Sequence, residues 1–158
     1  MPLTNAVEIG TDVTPSTLAH EMFHKLDFKY NISKNSGFDG LLRADYDQLI
    51  KKAGNDVISY LNDIYPEAFR LSKRGVLRLQ PEYRGVSDIF SGLTENQVML
   101  GYGHDAKYWR GAKNRVEMEA WAQFGRVLYD NDPNVRKMLH DLFPGFEKGA
   151  MIALKELK

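Results

Sequence analysis

The 158-residue sequence contains no cysteine. That excludes disulfides, cysteine-ligated zinc and thiol chemistry, and it suits a cytoplasmic or virion-associated protein. Nor is there an excess of either charge, since Lys plus Arg and Asp plus Glu both total 21. A general nucleic-acid binder draws its affinity from neutralised phosphates, so nucleic acid is not an expected partner. One local basic cluster, Lys73, Arg74, Arg78 and Arg84, reads as a solvated face rather than a phosphate track. No apolar run reaches the roughly 18 residues that a membrane span requires, and no membrane contact is expected. Residues 1–10 lack the basic start and apolar stretch of a signal peptide. Internal repeats and low-complexity linkers are missing too. What remains is 43% hydrophobic and 27% charged, the balance of a single globular domain over residues 1–158.

Hydrophobic spacing along that domain is mostly helical. Thr14 offers a capping hydroxyl and Pro15 suits the first helical position, so a helix is predicted over residues 15–27. Residues 30–37 carry Asn, Ser and Gly and read as a loop. Apolar residues from Leu41 to Leu61 recur at helical spacing and predict an amphipathic helix broken near Gly54. Pro66 is expected to open another helix, to about residue 72. Helices are also predicted over 85–94, 116–129, from Asp132-Pro133 to Pro144-Gly145, and over 146–157. Short strands are expected over 6–9 and 98–102. The fold class is therefore α+β, mainly α.

Within the first helix lies His20-Glu21-Met22-Phe23-His24. Residues four apart share one helix face, so the two imidazoles can grip one tetrahedral ion at about 2.0–2.1 Å. Glu21 falls beside the ion rather than on it. There it can act as general base toward a zinc-bound water, whose pKa the metal lowers to about 7. One Zn2+ is the expected cofactor and peptide-bond hydrolysis the expected reaction.

A catalytic zinc site takes three protein ligands and keeps a position open. Glu119 is the first choice for the third. It stands in the run Glu119-Ala120-Trp121-Ala122, where small residues would let its helix pack close to that of His20. Glu117, two residues away, points to another side of the helix. His104 is the second choice. It follows Gly101-Tyr102-Gly103, and such a loop can bring His104 or Tyr102 to the site, where either could donate to the oxyanion of the tetrahedral intermediate. Tyr108 and Trp109 read as packing, and His140 as a surface residue. Asp27, three residues after His24, is placed to accept a ligand histidine's other N–H or to cap a neighbouring loop; the first role is preferred.

The segments TLAHEMFHKLD, GVSDIFSGLTENQVMLGYGHDAKYW and EAWAQF together resemble the zincin-type metallopeptidase domain of phage and prophage head-morphogenesis (minor head) proteins. The resemblance spans about residues 7–146. It implies a minimal zincin-like domain with an active-site helix, a short sheet or hairpin and several packed helices. That family is similar to the gluzincins, which implies His20, His24 and Glu119 as ligands and Glu21 as base. It also implies partners, namely a peptide or protein substrate and phage head proteins. Two positions depart from the pattern. Phe23 replaces the usual Gly before the second His, and its ring is expected to narrow the approach of a facing strand. Gln123 stands where gluzincins often place Asp. With nineteen residues ahead of His20, the sheet is expected to be reduced, or the chain to be excised from a longer protein. The alternative to an enzyme is a zinc-stabilised structural module of a phage head protein, with a closed four-ligand site that adds Asp27 or His104.

Overall fold

The computed structural model describes residues 14–157; the strand expected over 6–9 lies outside them. Nine helices and one hairpin make up the described residues. In chain order they are α1 (Pro15–Tyr30), α2 (Ile32–Asn35), α3 (Phe38–Ala53), α4 (Val57–Ile64), β1 (Phe69–Leu71), β2 (Leu77–Leu79), α5 (Arg84–Thr94), α6 (Ala106–Arg110), α7 (Arg115–Asp130), α8 (Pro133–Leu142) and α9 (Pro144–Glu156). The fold is mainly α with a two-stranded antiparallel sheet in which Phe69 faces Leu79.

Local signals explain most of the boundaries. Thr14 caps α1 through its hydroxyl, and α1 stops where Asn31 turns left-handed at φ 53°. Gly54, at φ 69°, separates α3 from α4, where the apolar pattern predicted a break. Asp132 caps α8 as expected. Three expectations are corrected. Pro66 opens only one 3-10 turn (Pro66–Ala68), after which the chain extends into β1. Residues 98–102 form no strand; Leu100 merely accepts one bond from Leu79 N–H at 2.5 Å. The supposed loop at 30–37 contains α2 and leads into α3.

Helix α7 is the central element. It packs along α1 on one side and α5 on another, while α3 packs on α9. Trp121 on α7 is fully buried. Its ring stacks on Phe38 at 5.9 Å and lies 4.9 Å from Phe23. Its Nε1 donates to the Phe23 carbonyl at 2.9 Å, tying α7 to the backbone of α1. The close approach depends on Gly125. A Cβ there would lie 2.3 Å from the Phe23 ring, so only hydrogen fits. Phe23 is thus directed into the α1–α7 contact and does not narrow the site as expected from its bulk.

Candidate metal centre

Because α1 and α7 lie so close, residues 99 positions apart meet. His20 Nε2 lies 3.0 Å from Glu119 Oε2, and His24 Nε2 lies 3.2 Å from Glu119 Oε1. The two imidazoles stand edge to face with centroids 4.6 Å apart. Two ligands each about 2.0–2.1 Å from one ion at tetrahedral angles are about 3.3 Å apart, so these separations fit a shared metal. Ligand atoms of all three residues fall within 4.8 Å of one another. His20 and Glu119 are buried, at 7% and 3% exposure. The group can hold a metal ion.

Its electrostatics point the same way. Burial alone would raise the Glu119 pKa, but hydrogen bonds from His20 and His24, the charge of His24 and a bond from Tyr108 outweigh it and hold the carboxyl well below the usual range. Burial opposes charge on His24, yet its hydrogen bond to Glu119 and the charges of Glu119, Glu21 and Asp27 raise its pKa. A carboxylate and two imidazoles crowded into one largely buried spot form a site into which a cation fits. Glu21 behaves differently. Its side chain is 52% exposed, with Oε1 3.3 Å from His20 Nδ1, and it stays outside the ligand group.

His104 reaches the same region from the loop before α6, held by residues that local patterns did not reveal. Asp88, fully buried on α5, accepts from the His104 backbone N–H at 3.0 Å, and its two oxygens lie 2.9 and 3.1 Å from Nδ1. That hydrogen bond is the main cause of a raised His104 pKa. Gly103 makes the fit possible, because a Cβ would lie 2.1 Å from Ser91 Oγ. The Tyr108 ring stacks on His104 at 4.1 Å, and Trp109 Nε1 donates to its carbonyl at 3.1 Å. Tyr108 also donates its hydroxyl to Glu119 Oε1 at 2.5 Å, so reading it as packing alone is corrected. Burial, with Glu119 close by, pushes its own pKa up to about 12.

Asp88, His104 and Glu119 form a second group of candidate ligands. Asp88, however, already accepts from His104 at two atoms and from Gln123 Nε2 at 2.9 Å. A carboxylate so fully engaged acts as an anchor for His104 rather than as a ligand awaiting an ion. Gln123 also accepts from Arg126 Nε at 3.1 Å, which gives the amide a use in place of the expected Asp. Tyr102 lies nearby, half exposed, its ring 6.2 Å from that of His104.

Other expectations resolve plainly. Asp27 is buried and accepts the Ser33 N–H at 2.7 Å. Among the described residues no hydrogen bond joins it to His20 or His24, so it caps the loop rather than holding a ring. Glu117 stays apart from the ligand group, raised in pKa by burial and by Asp39. His140 is exposed and pairs with Glu147 at 2.7 Å. Lys73 and Arg74 are solvated at the hairpin turn. Asp88 could have been found from its place among Val86, Ile89 and Phe90, because a carboxylate in an apolar run needs a buried partner. In comparisons with protein-family models, curated proteins and solved structures, nothing matched the chain.

Proposed function

We propose that this chain is a zinc metallopeptidase of the zincin type, akin to the metallopeptidase domains of phage head-morphogenesis proteins. The observation that carries the reading is the convergence of His20, His24 and Glu119 from two helices into one buried group of ligand atoms. His₂Glu is a catalytic ligand set. Bound there, zinc would supply a Lewis acid that makes water acidic near neutral pH and polarises a peptide carbonyl.

The chain's own residues supply the remaining chemistry. Glu21 sits one residue after the first ligand, half exposed at the open side. It takes the proton of the attacking water and hands it to the leaving amine. His104, fixed by Asp88 and Tyr108, donates to the oxyanion, and its raised pKa favours the protonated donor form. The Tyr102 hydroxyl makes no hydrogen bond among the described residues and serves as a second donor at the rim. The substrate is a peptide or protein, with phage head proteins as natural candidates.

A zinc-stabilised structural module is the competing reading. A closed structural site takes four protein ligands. Among the described residues no fourth His, Asp or Glu joins His20, His24 and Glu119 in one group of ligand atoms, and Asp27 is taken up by the Ser33 N–H. That count supports an open, catalytic site. Assaying the parent beside Glu21→Gln separates the readings, since a structural module cleaves no peptide in either form. The enzyme reading expects one zinc retained per chain and cleavage of a peptide library abolished. Cleavage at the parental rate would remove Glu21 from the mechanism.

A further inference from the structure

Two arginines on the His104 side of the candidate metal centre enter none of these steps; Arg126 follows Glu119 by two turns of α7, about 10 Å along the helix. Arg126 on α7 is only 6% exposed. Its Nε donates to Gln123 Oε1 at 3.1 Å and its Nη1 to Ser16 Oγ at 3.3 Å, both neutral acceptors. No described carboxylate lies within ion-pair distance of it. The acids stand one hydrogen bond further off, Asp88 behind Gln123 and Asp130 behind Ser16.

Arg84 is brought alongside by Gly85. A Cβ on Gly85 would lie 3.4 Å from Gln123 Oε1 and 3.3 Å from Val127, so α5 starts directly against α7 at the amide that holds Arg126. Arg84 makes one long bond, from Nε to the Pro81 carbonyl at 3.4 Å, and its guanidinium lies 5.5 Å from the Tyr102 ring centre. It too has no described carboxylate in ion-pair range. Tyr102 in turn neighbours His104. A desolvated cation without a paired anion is costly, and a second cation beside it adds repulsion. Burial first, and Arg84 next, hold the Arg126 pKa below its ordinary value. Guanidinium forks bind carboxylates through paired N–H bonds.

We propose that Arg84 and Arg126 form a carboxylate-binding subsite on the His104 side of the candidate metal centre, so that the preferred substrate carries a carboxylate a few residues from the bond that is cleaved. That carboxylate comes from an acidic side chain or from the peptide C-terminus. The choice of a peptide rests on the peptidase reading, whereas anion binding at the pair does not require the metal.

The test is an NMR titration of the Arg84 and Arg126 Nε–H resonances in the Glu21→Gln protein, with zinc content measured on the same sample. The probes are N-acetyl-dialanine with a free carboxylate against its amide, and N-acetyl-glutamate amide against N-acetyl-glutamine amide. The first pair reports a C-terminal carboxylate and the second an acidic side chain. Saturable shifts with a carboxylate and not with its neutral counterpart are expected. Arg84→Gln should weaken that binding about tenfold or more, and Arg84→Lys should restore part of it. Shifts without zinc would keep the subsite while removing the peptidase reading. No shift with either carboxylate, or equal shifts with the neutral probes, would overturn the subsite whatever the zinc content.

Discussion

Glu119 receives a hydrogen bond from Tyr108 on the same oxygen that faces His24. Partners behind a metal ligand commonly change affinity by about 10–100-fold when removed. Tyr108→Phe is therefore expected to weaken zinc binding by about that factor, measured by competition with a chromophoric chelator. Asp88 offers a second test. It raises the His104 pKa above 6.5, so the contact stabilises the fold fully below the unfolded value and is lost as pH rises through the folded one. Asp88→Asn should shift the His104 midpoint downward, read from its ring resonances in the metal-free protein. An unchanged midpoint would remove Asp88 as the cause. The contrast between these residues shows what a sequence makes visible. His20, Glu21 and His24 declare themselves through a local helical spacing. Asp88, Tyr108 and Gln123 act across 11 to 35 positions, and no periodicity encodes such pairings. Asp27 illustrates the converse, since local spacing offered it to His24 but the Ser33 N–H took it.

At the scale of elements, the site depends on how closely α1 and α7 approach. Gly125 sets that distance against the Phe23 ring, and Trp121 locks it. Gly125→Ala would force the helices apart. Overpacking of this kind costs about 1–3 kcal/mol, so denaturant unfolding should show that loss together with weakened zinc binding. Destabilisation with full zinc affinity would separate the helix contact from the site. The long amphipathic helices were legible because their apolar stripes repeat over several turns. The three-residue strands β1 and β2 were not, being too short to show alternation. Pro66 misled for a related reason, because a proline that starts a helix also starts a 3-10 turn. Residues 98–102 carry strand-like side chains, but among the described residues their one backbone–backbone hydrogen bond to β2 ends on the Leu100 carbonyl.

For the whole molecule, the core extends well beyond the candidate metal centre. Trp121, Phe38, Phe124 and Phe146 are buried in an aromatic cluster that extends from the site to α9. Such a core is expected to stand without the ion. Removing zinc with a chelator should therefore lower the melting temperature, by linkage, while far-ultraviolet circular dichroism at 25 °C stays helical. Collapse of the helical signal on chelation would favour the structural-module reading. Acid should also release the metal, since imidazole ligands bind it only when deprotonated. The mainly α class was readable in the sequence, and so were His20 and His24 as one pair, with Glu119 and His104 both standing as candidates for the third place. The anchoring of His104 and the arginine pair emerge only from how α5 and α7 pack.

The proposed three-residue zinc site spans α1 and α7. It is tested most directly by zinc content per chain, measured by plasma mass spectrometry after purification without chelator, for the native protein and for Glu119→Ala. One zinc is expected in the native protein and a clear loss in the variant, with both folded by circular dichroism. One zinc in both proteins, or none in either even after zinc is added, would contradict it.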